Sequence, residues 1–265
     1  MGVCPYFAAG MERNKGAYMP YADQQTRLQQ PVEERLARLN GELRHASATT
    51  ILRASLLREW PQKLTYVSSF GAESAVMLAL IADVDPDFPV IFLETGLHFP
   101  QTLDYKDKLI DQLGLTNVRE TPPNETERKV LDPKDRLWQS DPDACCALRK
   151  VRPLEPALEG FDAWITGRKR FHGGARMSLP VFEHSAGRFK VNPLASWTQE
   201  DVDRFFVQRN LPRHPLVDQG YPSIGCWPCT RPAEDPSDIR SGRWAGMAKT
   251  ECGLHVDKAE RPRVF

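Results

Sequence analysis

No stretch of this chain is apolar for long. The longest uninterrupted run, AVMLALIA at residues 75–82, is far short of the roughly 20 residues a membrane helix needs, and the opening MGVCPYFAAGMERNKG has no hydrophobic signal core. Excess charge of either sign is also missing, because 35 Lys and Arg face 35 Asp and Glu in 265 residues. That balance excludes bulk basic affinity for nucleic acid as the main activity. No period of about 20 to 50 residues repeats, and no low-complexity tract occurs beyond the polar residues 21–30. The expectation is a cytoplasmic protein with no membrane or nucleic-acid partner, able to form homo-oligomers. Cysteine is sparse, with six at positions 4, 145, 146, 226, 229 and 252. In a reducing compartment an even count is no sign of disulfides, so metal binding or thiol chemistry explains them better.

Residues 31–58, rich in Leu, Arg, Glu and Ala at helical spacing, predict an N-terminal helical segment that Gly41 and the polar cluster at 47–50 split in two. LTYVSSF (64–70) then reads as a buried strand, AESAVMLALIAD as a helix, PVIFLET (89–95) as a second strand and PQTLDYKDKLIDQLG as a second helix. Two strand-to-helix units in succession predict an α/β fold with a doubly wound, mostly parallel sheet. A short strand near Val118, a helix over about 143–158, the strand AWITG (163–167) and a helix over 198–210 with Ser196 or Thr198 as N-cap continue the series. Beyond Leu211 the chain turns to Pro, Gly and Cys. The implied division is a helical segment at 1–58, an α/β domain binding nucleotide and cluster at 59–240, and a mobile Cys-bearing tail at 241–265.

Ligands of such sheets bind beyond the carboxyl ends of the strands, where helix N-termini favour anions. Three segments fall there: Ser68 to Ser74, with hydroxyls and Gly71; Leu93-Glu94-Thr95-Gly96; and Thr166-Gly167-Arg168-Lys169-Arg170. Each alone reads equally well as an ordinary turn, but three together point to a nucleotide. The run RKRFHGGAR (168–176) has four basic side chains and no acid. It suits a polyanionic substrate, against the plainer reading of solvated surface charge. Lys150, Arg240 and Arg243 could close the same ring.

Cys145 and Cys146 are adjacent, and Cys226-Trp227-Pro228-Cys229 follows far downstream, giving four thiolates in two pairs. Structural zinc usually takes cysteines two to four residues apart. Neighbours on a helix point about 100° apart, so two of them reach one small ion only under strain. An iron–sulfur cubane offers separate iron corners and suits the spacing better. The third reading, a redox CxxC, normally opens a helix in a thioredoxin-like βαβ context, unlike the loop IGCWPCTRP.

CCALRK (145–150), IGCWPCTRP (224–232), GRW (242–244) and ECGLH (251–255), in this order, resemble the assimilatory adenylyl-sulfate (APS) reductases of the adenylyl-sulfate/phosphoadenylyl-sulfate reductase family. The resemblance runs from about residue 64 to 255. It implies a sheet of the adenine-nucleotide α-hydrolase-like (PP-loop) type and an oxidoreductase that uses thioredoxin to reduce adenosine 5′-phosphosulfate to sulfite and AMP, in sulfate assimilation toward cysteine. It further implies one [4Fe–4S] cluster held by Cys145, Cys146, Cys226 and Cys229, with Cys252 as nucleophile through an S-sulfocysteine. Lys150, Arg240 and Arg243 would surround the phosphosulfate, while Ser69, Gly71, Ser74, Leu93, Thr95 and Gly167 would seat the adenosine and its phosphate. Family members acting on the 3′-phosphorylated substrate generally lack the paired cluster cysteines, so their presence implies APS.

Two departures stand out. Glu94 replaces the Asp of the family's LDTG stretch, and RKRFHGGAR replaces a loop one residue longer, which makes Arg176 the match for the substrate arginine. The chemistry agrees with the resemblance. Attack on a sulfonyl sulfur requires a thiolate, and departing AMP needs cationic neighbours. Cys252, in a Gly-flanked tail with no apolar run to bury it, meets the first requirement. His255 reads as a solvated side chain and Cys4 as incidental. Three alternatives come from other reactions or classes. One is a 3′-phosphoadenylyl-sulfate reductase. Another is an ATP-pyrophosphatase-type thiolation enzyme, whose SGGxDS loop is not matched by SFGAES (69–74). The last, an iron–sulfur regulator of nucleic acid, is opposed by the zero net charge.

Overall fold

A computed structural model describes residues 30–235, 238–247 and 249–255. Cys4, residues 21–29 of the polar stretch and tail residues 256–265 lie outside the described residues. Helix α1 (Val32–Leu43) turns Leu39 and Leu43 inward and runs straight through Gly41, where the sequence suggested a break. Open space surrounds that position, and one mid-helix glycine costs only about 1 kcal/mol relative to alanine. The break comes at Ser47, whose hydroxyl accepts the Thr50 N–H and starts α2 (Ala48–Ala54). A π-helical turn, Ser55–Glu59, prolongs α2.

Strands β1 (Leu64–Ser68), β2 (Val90–Phe92), β3 (Val118–Glu120) and β4 (Ala163–Ile165) run parallel, and with β5 (Phe182–Ser185) and β6 (Arg188–Val191) the sheet has the order β3-β2-β1-β4-β6-β5. The α/β class read from the sequence is therefore present. Helix α3 (Ser74–Ala82) links β1 to β2, and Ala75 through Ile81 are all buried, as its all-round apolar sequence demands. Each Leu, Ile or Val withdrawn from water there contributes roughly 1.5–3 kcal/mol. Helix α4 (Pro100–Leu113), with Pro100 in its first turn and Gly114 as a left-handed cap, leads to β3.

Four short helices fill the β3–β4 connection: α5 (Glu125–Leu131), α6 (Leu137–Ser140), α7 (Pro142–Cys146) and α8 (Arg152–Ala157), with a π turn, Ala147–Val151, joining the last two. Neither α5 nor α6 is signalled in the sequence, because neither buries a residue and so neither shows an apolar period. The hairpin of β5 (Phe182–Ser185) and β6 (Arg188–Val191) is also new. Its two turn residues, Ala186 and Gly187, have φ of 54° and 79°, and Ala is not a residue that advertises such a turn. Thr198, in a capping box with Asp201, starts α9 (Gln199–Gln208).

Leu39, Ile51 and Leu52 of the N-terminal helices, and Trp60 just after them, share one core with Tyr66, Val90, Ile165 and Val191 of the sheet. Among the described residues no helix is long and apolar enough to cross a membrane. The chain leaves β1 toward β2 and β3, then returns to the other side of β1 for β4. The strand order thus reverses at β1, opening a crevice beyond the ends of β1 and β4.

Candidate active site

That crevice is a cavity of about 230 Å³. Ser69, Gly71 and Ser74 reach it from the end of β1, Leu93 from β2, Gly167 from β4, and Lys150, Arg176, Arg240, Arg243 and Cys252 from the later segments. Thr95 is not on its wall. It is fully buried, with its hydroxyl 3.4 Å from Cys226 Sγ and accepting the Leu97 N–H at 3.2 Å, so it belongs to the cysteine region. Gly71 makes room for the protein itself, since a Cβ there would stand 3.1 Å from the Ile224 carbonyl oxygen. The longer arm of Glu94 folds back to accept the Gly96 N–H at 2.9 and 3.0 Å.

The basic run is less open than its sequence suggested. Lys169 lies 2.8 Å and His172 3.0 Å from Glu73. Burial alone would raise the Glu73 pKa, but Lys169 and then His172 hold it down at about 2. Arg168 pairs with Glu183, and Arg170 donates to the Leu179 carbonyl at 2.8 Å. Arg176, expected at the substrate anion, makes a two-point ion pair with Glu251 at 2.8 and 2.9 Å. Burial, followed by the nearby Arg176, lowers both Arg168 and Arg240 to about 10.

Lys150 and Arg243 remain without a carboxylate partner among the described residues. The Arg243 guanidinium lies 4.4 Å over the Trp244 ring, and its Nε is buried without an acceptor. Burial pulls the Lys150 pKa down, but the thiols of Cys226, Cys146 and Cys252 raise it overall. A charge partly withdrawn from water without a counter-ion is costly, so two half-buried cations on one cavity mark an anion site.

Asp141 accepts the Ala144 N–H at 2.8 Å and starts α7, which ends in Cys145 and Cys146. Opposite lies a 3₁₀ turn, Trp227–Cys229, preceded by Cys226. Leu97, Cys145 and Cys226 form one apolar cluster, against which Trp138 packs. All four thiols are buried and free; burial pushes Cys145 up to about 12 and Cys146 to about 11. No three His, Cys, Asp or Glu side chains among the described residues gather to hold one metal ion. The Trp244 backbone N–H donates to the Cys229 carbonyl at 3.0 Å, while its indole N–H is buried without an acceptor.

Arg149, which no local pattern distinguishes from Lys150, is 2% exposed and ties this region together. It donates to the Thr95 carbonyl at 2.7 Å, to Asp132 at 2.7 Å and to Asp135 at 2.6 Å.

Cys252 is half-buried, and its neighbours fasten the tail around it. Lys249 pairs with Asp143, and Arg240 donates to the Thr250 carbonyl at 2.8 Å. Leu254 packs against the cluster of Ile91, Leu93, Leu154 and Trp164. His255, expected in solvent, instead stacks on Trp164 with centroids 5.1 Å apart. Its Nδ1 is buried without a partner, and burial, reinforced by Arg168, keeps its pKa well below the ordinary value.

Residues 63–232 match the family model for the phosphoadenosine phosphosulfate reductase domain. The chain is 46% identical over 229 residues to the adenosine 5′-phosphosulfate reductase of Mesorhizobium japonicum, covering 86% of this chain and 90% of that protein. It is 43% identical over 216 residues to the phosphoadenosine 5′-phosphosulfate reductase of Gloeobacter violaceus, covering 79% and 89%. The crystal structure of a phosphoadenylyl-sulfate reductase from Candida auris, a phosphate complex, superposes with a TM-score of 0.65 at 31% identity, covering 76% of this chain and 98% of that one.

Proposed function

The chain belongs to the phosphoadenosine phosphosulfate reductase family, and from that premise we propose that it reduces adenosine 5′-phosphosulfate to sulfite and AMP with thioredoxin as electron donor, in sulfate assimilation. The observation that carries this reading is a cavity in which the Cys252 thiol stands with Lys150 and Arg243, two cations with no carboxylate partner among the described residues. The cations call for an anion, and a thiolate is the nucleophile suited to a sulfonyl sulfur.

Cys252 Sγ, as thiolate, attacks the sulfur of the phosphosulfate. The bond from that sulfur to the phosphate oxygen breaks, and AMP leaves with the electron pair while Lys150 meets its developing charge and Arg240 and Arg243 hold the phosphosulfate in place. Cys252 is left carrying an S-sulfo group. A thioredoxin thiolate then attacks Cys252 Sγ and expels sulfite, and the second thioredoxin thiol closes the disulfide and frees Cys252. Two electrons pass from the dithiol to the sulfonyl sulfur.

Four buried, free thiols in two pairs, with the Thr95 hydroxyl 3.4 Å from Cys226 Sγ, fit a [4Fe–4S] cluster held by Cys145, Cys146, Cys226 and Cys229. A cubane carries its irons at separate corners, so the thiols need not converge on one point, and its sulfides accept hydrogen bonds. When bound, the cluster supplies fixed charge beside Lys150 and holds α7 to the 226–229 turn. The adjacent cysteines favour adenosine 5′-phosphosulfate over its 3′-phosphorylated form.

The experiment is turnover of the anaerobically purified protein, with thioredoxin, on adenosine 5′-phosphosulfate, its 3′-phosphorylated form and ATP in parallel. Sulfite from the first is expected, and without thioredoxin one SO₃ group on the Cys252 peptide with an equal amount of AMP. Sulfite from the 3′-phosphorylated form alone overturns the substrate, and an adduct on another cysteine overturns the nucleophile.

A further inference from the structure

We infer that Glu251 is a positioning residue for the thiol beside it, its two-point ion pair with Arg176 being the clasp that holds Cys252 in the cavity. The inference rests on the reading of Cys252 as nucleophile. Arg176 Nε donates to Glu251 Oε1 at 2.8 Å and Nη2 to Oε2 at 2.9 Å. Two parallel charge-assisted bonds fix orientation as well as distance. Cys252 is the next residue, about 3.8 Å away from Cα to Cα, so a fixed Glu251 leaves it little room to swing.

The remaining ties are of another kind. Arg240 donates to the Thr250 carbonyl at 2.8 Å and reaches Glu251 Oε1 by one longer contact at 3.6 Å, without the two-point geometry. Leu254 and His255 are fastened by packing, beyond Gly253 with its left-handed φ of 82°. Among the described residues, Arg176 alone grips the side chain next to the thiol at two points within hydrogen-bond distance.

Arg176 is itself held from behind. Its Nη1 donates to His172 Nδ1 at 3.1 Å, and His172 Nε2 donates to Glu73 at 3.0 Å, the tautomer in which both contacts can form. A polar chain thus runs from Glu73, at the start of α3, through His172 and Arg176 to Glu251. It sets the tail's position against the same loop that supplies Ser69 and Ser74 to the cavity. Arg176 therefore serves the tail, leaving the substrate anion to Lys150, Arg240 and Arg243.

The test is a double-mutant cycle with Arg176→Ala, Glu251→Ala and the pair, in the full-length, anaerobically purified protein without substrate. The readout is the rate at which a bulky maleimide modifies Cys252, followed by peptide mass spectrometry. Hydrogen exchange over residues 250–255 gives a second readout that does not depend on thiol reactivity. Each single change should raise both rates roughly tenfold, and the double no further than the faster single, because both break the same contact. Glu251→Gln, which keeps an acceptor but not the charge, should fall between. Unchanged protection in the singles, or effects that multiply in the double, overturns the clasp.

Turnover separates this inference from the reading beneath it. Glu251→Ala should lower kcat while KM stays within about twofold. A wild-type protein that makes no sulfite but shows the non-additive protection pattern contradicts the proposed activity and leaves the clasp standing.

Discussion

Glu73 governs charges that look independent in the sequence. It neutralises Lys169, which is 2% exposed, and supports His172 behind Arg176. The positive run at 168–176 was readable, but whether a cation is free depends on which carboxylate the fold puts against it. The Glu73 carboxyl sits at about 2 against an ordinary 4.5. Its stabilising contribution is therefore complete above pH 4.5 and lost as pH falls toward 2, where the unfolded chain takes up the proton first. Urea unfolding should find Glu73→Gln less stable than wild type by about 3 kcal/mol at pH 7. That gap should shrink below pH 4.5. A gap that stays constant down to pH 3 contradicts the assignment.

At the scale of elements, the site depends on two irregular segments that approach backbone to backbone. Arg231 N–H donates to the Gly242 carbonyl at 2.9 Å, and a Cβ on Gly242 would stand 2.1 Å from the Arg231 carbonyl oxygen. Gly225 is crowded by a side chain instead, with a Cβ there 2.4 Å from Arg243 Nη2. Alanine at 225 should push the guanidinium aside without unfolding the chain, because the flexible end of Arg243 can yield. Steady-state kinetics should then show KM for adenosine 5′-phosphosulfate raised roughly three- to tenfold with kcat less affected, as the loss of a binding clamp requires. A larger fall in kcat than rise in KM would place Arg243 at the transition state.

For the whole molecule, the strand order is what assembles the site. Reversal at β1 brings the ends of β1 and β4 to one crevice, and the long connections from β3 to β4 and beyond α9 bring two cysteine pairs to its rim. The cluster reading carries a stoichiometry: protein purified without oxygen should contain about four iron and four sulfide per chain. Cys145→Ser and Cys229→Ser should lose both the iron and the turnover. One zinc per chain with no sulfide, or a fully active iron-free variant, contradicts the proposed role.

The amino-acid sequence alone made legible the α/β class, strands β1 to β4, helices α3 and α4 and the grouping of four cysteines into two pairs, because apolar periodicity and residue spacing are local properties of the chain. It was silent on α5, α6 and the β5–β6 hairpin, which bury nothing or turn on an ordinary alanine. Nor could it show that Arg176 meets Glu251, that the Thr95 hydroxyl faces Cys226, or that His255 stacks on Trp164 instead of standing in solvent. Partners distant in the chain leave no periodic trace, and the charge a buried group presents is set by whichever side chain the fold brings against it.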